Sequence, residues 1–437
     1  MKVPNSRIFA GAAVAALAVT TIVYSGGPAQ ALDHQLGLPA FGDLVVDQDH
    51  DQVYITGGSG SNGVVVTDLD GHVKKTITGQ YGATGLALNA DNHKLYVALA
   101  AGDAISVIDT HTLKETDRYS TGARTCPTHL VRAGELLWFG HGCDGTWSGG
   151  VGRVKFPEPV EPGPSTSPSP SASPSASPSP SPSTPPKPTI DLNTQGDVRF
   201  QRAPLLAAHD DAAGPLVAAQ LNLSLSTVYV YDIGESGDLT TRTSGTAPGS
   251  NLNDISIDKY GQTLLTGAGS RNATQAYAID DLSGRGSYYT GYYPVAVAAA
   301  PDDYHVANGV RATGDDIYVY ETGGVVPERR IDITTDVLAP RGLVWSPDSE
   351  TLYAVTQPAA GGAPTLHVID NPPSGPAGAR PPSRAPTSRA PAAVQQQRHL
   401  QDAATEQGGR RVQVEAALGQ VPADGRGDHR VGVRGDR

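Results

Sequence analysis

A short apolar run ending in an acid recurs along this chain, and its spacing restricts the fold more than any other feature. The copies are VVVTD to Asp68, ISVID to Asp109, VYVYD to Asp232, AYAID to Asp280, IYVYE to Glu321 and LHVID to Asp370. Successive gaps are 41, 123, 48, 41 and 49 residues. A degenerate copy, VGRVK from Val151 to Lys155, divides the long gap into 46 and 77. A Pro/Ser tract accounts for about 32 residues of the larger part, and without it every spacing falls between about 41 and 49. That is the period of a four-stranded blade.

Each unit supplies its other strands. Aromatic or apolar runs precede the marked strand: QVYIT at Gln52, KLYVAL at Lys94, LLWFG at Leu136 and TLYAV at Thr351. Before these stand shorter runs, DLVVD at Asp43, GLALN at Gly85, DISID at Asp254 and GLVWS at Gly342. The connections DQDHDQ, NADNHK, DKYGQT and SPDSET are rich in residues that favour tight turns. Polar runs such as HVKKTI at His72 and RRIDIT at Arg329 close the units. Sheets of this kind bury their apolar faces by tiling radially, so the chain is expected to be all-β, a seven-bladed β-propeller of four-stranded antiparallel blades. The blades are expected to begin near Phe41, Gly82, Cys126, Ala203, Asn251, Tyr292 and Val337, with Leu36 to Phe41 closing the last one. Eight blades is the competing count, if the segment after Pro373 once continued the pattern.

The segment from Leu95 to Gly122, LYVALAAGDAISVIDTHTLKETDRYSTG, resembles the YVTN repeat of bacterial surface-layer-type propellers. SPDSETLYAVT, Ser346 to Thr356, is similar to that family and to WD40-like and TolB-like units. The resemblance spans about Phe41 to Pro372, although the YVTN tetrapeptide itself is absent. It implies extracellular binding or display, with enzymes in a minority.

The two ends and one insertion stand apart. Lys2 and Arg7, the apolar run Ile8 to Tyr24 and the Ala29-Gln30-Ala31 site read as a secretory signal over residues 1–31, the alternative being an uncleaved anchor. The propeller is expected over 32–372. Within its third blade, 157–188 is dominated by SPSPSASPS-type sequence, which stays extended and solvated. It reads as a tolerated insertion, a wall-spanning spacer or a site for O-glycosylation. From 373 to 437 there is no aromatic residue, Ile or Lys, so this stretch is expected to be a disordered tail or an out-of-frame translation. The whole chain carries −12, the leader contributes about +2 and the tail about +4, leaving a body near −18. Such a body repels phosphate backbones, which argues against a nucleic-acid partner. The protein is expected to be secreted, with wall association open, monomeric, and without a membrane span after signal removal. Its partner would be an extracellular protein, peptide or glycan.

Candidate chemistry is sparse. Cys126 and Cys143 flank a predicted hairpin turning at Gly134-Glu135, where facing residues sum to 269. The two cysteines share that sum, so they should form a disulfide. Aligning the units places Asp43, Thr84, His129, Asn253, Asp254 and Arg341 at the mouth of a central channel. Two acids, an Asn and a His could hold a divalent cation there, as in calcium-dependent lactonase propellers, although the aligned positions lack a Glu. That leaves a metal-dependent hydrolase or lyase acting on lactones or cyclic esters as the alternative to a non-catalytic binding or surface-scaffold protein. The expectation is no cofactor, with calcium as the alternative, and no catalytic residue is assigned. DQDHD at Asp47 alternates like a calcium loop but has Gln52 where Gly belongs and Gly58 where Glu belongs, so it reads as a turn. There is no G-x-S-x-G elbow and no H-x-x-x-H pair. Trp147 is singled out because it lies in a Gly-rich loop beside the cysteines.

Overall fold

A computed structural model describes residues 32–157, 187–312, 314–333 and 336–373. The leader, nearly all of the Pro/Ser tract and the stretch after residue 373 lie outside the described residues. The described chain folds into seven four-stranded antiparallel sheets without a helix.

The inner strands are Leu44–Asp47, Ala83–Leu88, His129–Ala133, Leu205–Ala208, Leu252–Ile257, Pro294–Ala299 and Val337–Trp345. Each touches the next, and the last touches the first, so they close a ring. Strand character follows position within the blade. Gln52–Thr56 and Gly63–Thr67 are buried throughout because neighbouring blades cover both faces. Lys114–Ser120, at the rim, is exposed almost throughout, which is why it reads KETDRYS. The core is a series of apolar layers between blades. One sets Leu44, Val53 and Ile55 of the first blade against Tyr353, Val355 and Leu366 of the seventh.

Ring closure differs from the expectation. The fourth strand of the last blade is Leu32–Gln35, pairing antiparallel with Thr365–Val368, and not Leu36 to Phe41. Leu36 and Leu38 instead turn inward as buried plugs of the layer between blades seven and one. Closure therefore uses a polar strand followed by two apolar anchors. Two ties reinforce it. The Asp33 carboxylate meets Nδ1 of His367 at 2.7 Å, and the Thr356 hydroxyl donates to Nε2 of the same ring at 2.7 Å. This relay stitches the closing strand to its one neighbour, which carries His367, and through it to the next strand inward, which carries Thr356.

Cys126 and Cys143 form a disulfide with Cα atoms 5.3 Å apart. The hairpin they clasp pairs His129 with Gly140 and Ala133 with Leu136, the expected register. With a sequence separation of 17, the bridge should contribute about 3 kcal/mol by restricting the unfolded chain. Replacing both cysteines by serine should lower the denaturation free energy by that amount. Equal urea midpoints for oxidised and reduced protein would refute the assignment of a stabilising bridge.

Candidate functional site

The polar groups that converge on the axis do so through an irregularity in the seventh inner strand. Between Leu338 and Leu343 the pairing register slips, leaving a bulge of four residues, and Arg341 sits in it at φ +63. A left-handed backbone is costly for a side chain with a Cβ and persists only where surroundings enforce it. Here the bulge carries the guanidinium away from its own blade. Its Nη2 lies 2.7 Å from Oδ1 of Asp43 at the head of the first blade. Its Nη1 donates to Nδ1 of His129 in the third blade at 2.8 Å. Because Nδ1 accepts, the His129 proton resides on Nε2. Arg341 thus ties blades one, three and seven together at the mouth.

The two acids repeat one design. Asp43 accepts the backbone N–H of Leu44 at 3.1 Å and of Leu86, in the next blade, at 3.0 Å. Asp254 accepts from Ile255 at 2.9 Å and from Val297, again in the next blade, at 2.8 Å. Each carboxylate is a clip between adjacent inner strands. Burial pushes the Asp43 carboxyl up, while Arg341 and the two N–H donors pull it down. For Asp254 burial dominates and the pKa is pushed up to about 7, with Val297 and Arg341 opposing and Asp43 reinforcing. His129 is held well below the usual imidazole value, by burial first and by Arg341 second.

Of the six residues expected at the mouth, Asp43, His129 and Arg341 meet directly, and Asp254 lies within electrostatic reach of Asp43 and Arg341. The other two make backbone contacts. Thr84 donates to the carbonyls of Ala98 at 3.2 Å and Pro127 at 3.3 Å, and the Asn253 amide donates to the Asn251 carbonyl at 2.7 Å. The arrangement suits a divalent cation poorly, because a guanidinium already lies against the strongest donor. DQDHD is a turn: Asp47 accepts from the backbone N–H of His50 and meets its Nδ1 at 2.8 Å, while Asp49 accepts from Asn92. Trp147 is 54% exposed on the loop beside the disulfide, with its backbone N–H donating to the Gln201 carbonyl at 3.1 Å.

Asp254 gives a pH dependence of defined sign. Between its unfolded value near 4 and its folded value near 7, the unfolded chain releases a proton that the folded chain keeps. Rising pH therefore costs stability through that window, by about 1.4 kcal/mol per unit. His141 acts oppositely: burial, and then Arg199, lower it to about 4, so stability falls as pH drops from 6.5 towards 4. Asp254→Asn isolates the first effect. It forfeits one hydrogen bond at every pH but should gain on the wild type by about 1 kcal/mol per unit between pH 4.5 and 7. A constant difference in unfolding free energy across that range would show that Asp254 does not titrate there.

Two features escaped sequence reading. Thr356, His367 and Asp33 have the hydrogen-bond order of a hydrolytic relay, yet Thr356 is 0% exposed, so no substrate carbonyl could reach its hydroxyl. A cleft of about 830 Å³ opens between blades two and three, away from the axis. Its wall includes Tyr96, Tyr119 and Phe156, with Phe156 stacked on Tyr96 at 5.3 Å and edge-on to Tyr119 at 6.4 Å. Arg118, Arg132 and Glu135 supply charges of both signs. The three aromatic residues stand in separate segments of the chain, and only the packing of two blades brings them to one wall.

No family model matches this chain, and neither does any curated protein. Many solved structures match, and the likeness extends to the fold alone. The chain is similar to the β-propeller domain of Cps50 (Swd1) from Myceliophteria thermophila, at 12% identity and a TM-score of 0.55, over 78% of this chain and 99% of that one. It is also similar to hydrazine synthase of Kuenenia stuttgartiensis, at 15% identity and a TM-score of 0.52, over 77% and 97%.

Proposed function

We propose that this protein is a secreted, non-catalytic β-propeller that binds an extracellular protein, peptide or glycan. The observation that carries this reading is the Arg341 bridge. The one acid at the mouth with a direct side-chain cation partner is already matched by it, and His129 is held as its acceptor. A lactone-hydrolysing centre needs open coordination positions on a metal at that point. The Cys126–Cys143 disulfide fits an oxidising compartment, and among the described residues no helix is long and apolar enough to cross a membrane. The cleft between blades two and three offers the ligand an aromatic shelf rimmed by charges, within the usual size of a binding pocket.

Calcium, magnesium and manganese melts together with a lactone panel test this reading. A metal at about 100 times its dissociation constant would add about 2.7 kcal/mol. The expected result is no shift and no turnover. A shift abolished by Asp43→Asn, accompanied by lactone hydrolysis, would replace the binding reading with a catalytic one.

A further inference from the structure

An asparagine followed by glycine is a chemically labile step, because the glycine nitrogen has no side chain beside it to hinder attack on the asparagine carboxamide. This chain holds two such pairs, Asn62-Gly63 and Asn308-Gly309, and the fold treats them oppositely. Asn308 is fully buried within the strand His305–Val310. Its Nδ2 donates to the carbonyls of Val306 at 3.2 Å and Tyr318 at 3.1 Å. A Cβ on Gly309 would stand 2.0 Å from Cδ2 of Leu338, so the main chain there has no room to turn. Asn62 is exposed at the end of the loop joining Gln52–Thr56 to Gly63–Thr67, and its carboxamide has no hydrogen-bond partner among the described residues. The loop before it reads GGSGS, with Gly58 at φ +75. The Gly63 N–H donates to the Ser61 hydroxyl at 3.3 Å, a long contact that costs little to break. The same stretch of main chain is tied to the connection leading into the second blade. There the N–H groups of Gly82 and Gln80 donate to the carbonyls of Ser61 at 2.7 Å and Asn62 at 3.4 Å.

We propose that Asn62 is a site of spontaneous deamidation in the folded protein, yielding aspartate and isoaspartate. The Gly63 nitrogen attacks Cγ of Asn62, so an N–Cγ bond forms and the Cγ–Nδ2 bond breaks. Ammonia leaves, taking the Gly63 amide proton with it, and a succinimide ring remains. Water opens the ring at Cγ to give aspartate, or at the main-chain carbonyl to give isoaspartate. In the second product the main chain runs through the former side chain and gains a methylene. The carbonyl that accepted the Gln80 N–H becomes a free carboxylate. Both products add a negative charge, and isoaspartate also weakens the tie between this loop and the second blade. The site is separate from the channel mouth and from the cleft, and its test does not depend on the binding function.

The experiment is incubation of the native full chain in warm, mildly alkaline buffer, followed by peptide mapping with mass spectrometry. The segment holding Asn62 should gain the amide-to-acid mass difference and split into two chromatographic forms. The segment holding Asn308 should stay intact until denaturant unfolds the chain, and should then convert as well. Asn62→Gln should abolish conversion at that position. Gly63→Ala, whose methyl would meet the Ile77 carbonyl at 3.2 Å, should slow it severalfold. Aged wild type should melt below fresh protein, whereas aged Asn62→Gln should not. The wild-type chain alone decides the matter if a variant fails to fold. An Asn62 that stays intact in the native chain while a synthetic SGSNGVV peptide converts overturns the proposal. So does conversion of native Asn308 at the same rate, which would show that the fold does not select the site. A converted protein with an unchanged melting temperature overturns the weakened tie to the second blade.

Discussion

A chain lacking residues 32–38 is expected to lose its closed ring and to aggregate. The deletion removes the strand that pairs with Thr365–Val368 and leaves that edge open. An unpaired edge next to a buried apolar layer is a template for association with another chain. It also removes Leu36 and Leu38, which are 3% and 5% exposed, and the Asp33 partner of His367. Truncating either leucine alone to alanine should cost about 2 to 5 kcal/mol by the large-to-small rule. The deletion should exceed either, because strand pairing disappears with them. Size-exclusion chromatography and denaturant unfolding measure the effect, and a synthetic peptide covering residues 32–40 should restore part of the stability in trans. A deletion variant that elutes as a monomer with an unchanged unfolding midpoint would show that the wheel closes without its fourth strand.

This closure was also the least legible part of the fold. Middle strands announce themselves because two neighbouring blades cover them, so in KLYVAL every residue after the exposed Lys94 is apolar and buried. Leu32–Gln35 reads LDHQ, is largely exposed and lacks that signal. The apolar residues just after it drew the prediction one step too far along the chain, although they serve as anchors and not as a strand. The disulfide was legible because hairpin register is local arithmetic. The Arg341 bridge was half legible. Alignment brought Asp43, His129 and Arg341 to one end of the channel, but contact between residues 298 and 212 positions apart is a property of the assembled ring. One local clue was present, since Pro340 and Gly342 inside a strand are marks of a bulge. The Asp33–His367 tie, across 334 residues, had no local mark at all.

Arg341→Ala is expected to destabilise the protein strongly and to do so in a pH-dependent way. The guanidinium is 19% exposed and its partner Asp43 is 14% exposed, so the pair is largely withdrawn from water. Removing one member of a buried pair leaves the other uncompensated, which costs about 3 to 5 kcal/mol. His129 loses its donor at the same time. Without the cation, the only groups still pulling the Asp43 carboxyl down are the N–H donors of Leu44 and Leu86, so burial will raise its pKa further. A raised carboxyl pKa lowers folding stability as pH climbs from the unfolded value towards the folded one. The deficit of Arg341→Ala should therefore be smaller at acid pH. It should grow, by at most about 1.4 kcal/mol per unit, once pH passes the already raised Asp43 pKa of the wild type and climbs towards the higher one of the variant. Combining it with Asp43→Leu removes the stranded charge and should recover much of the loss, giving a positive coupling in the double-mutant cycle. Additive effects of the two substitutions, or a deficit independent of pH, would mean that the contact between Arg341 and Asp43 contributes nothing to holding the first and seventh blades together.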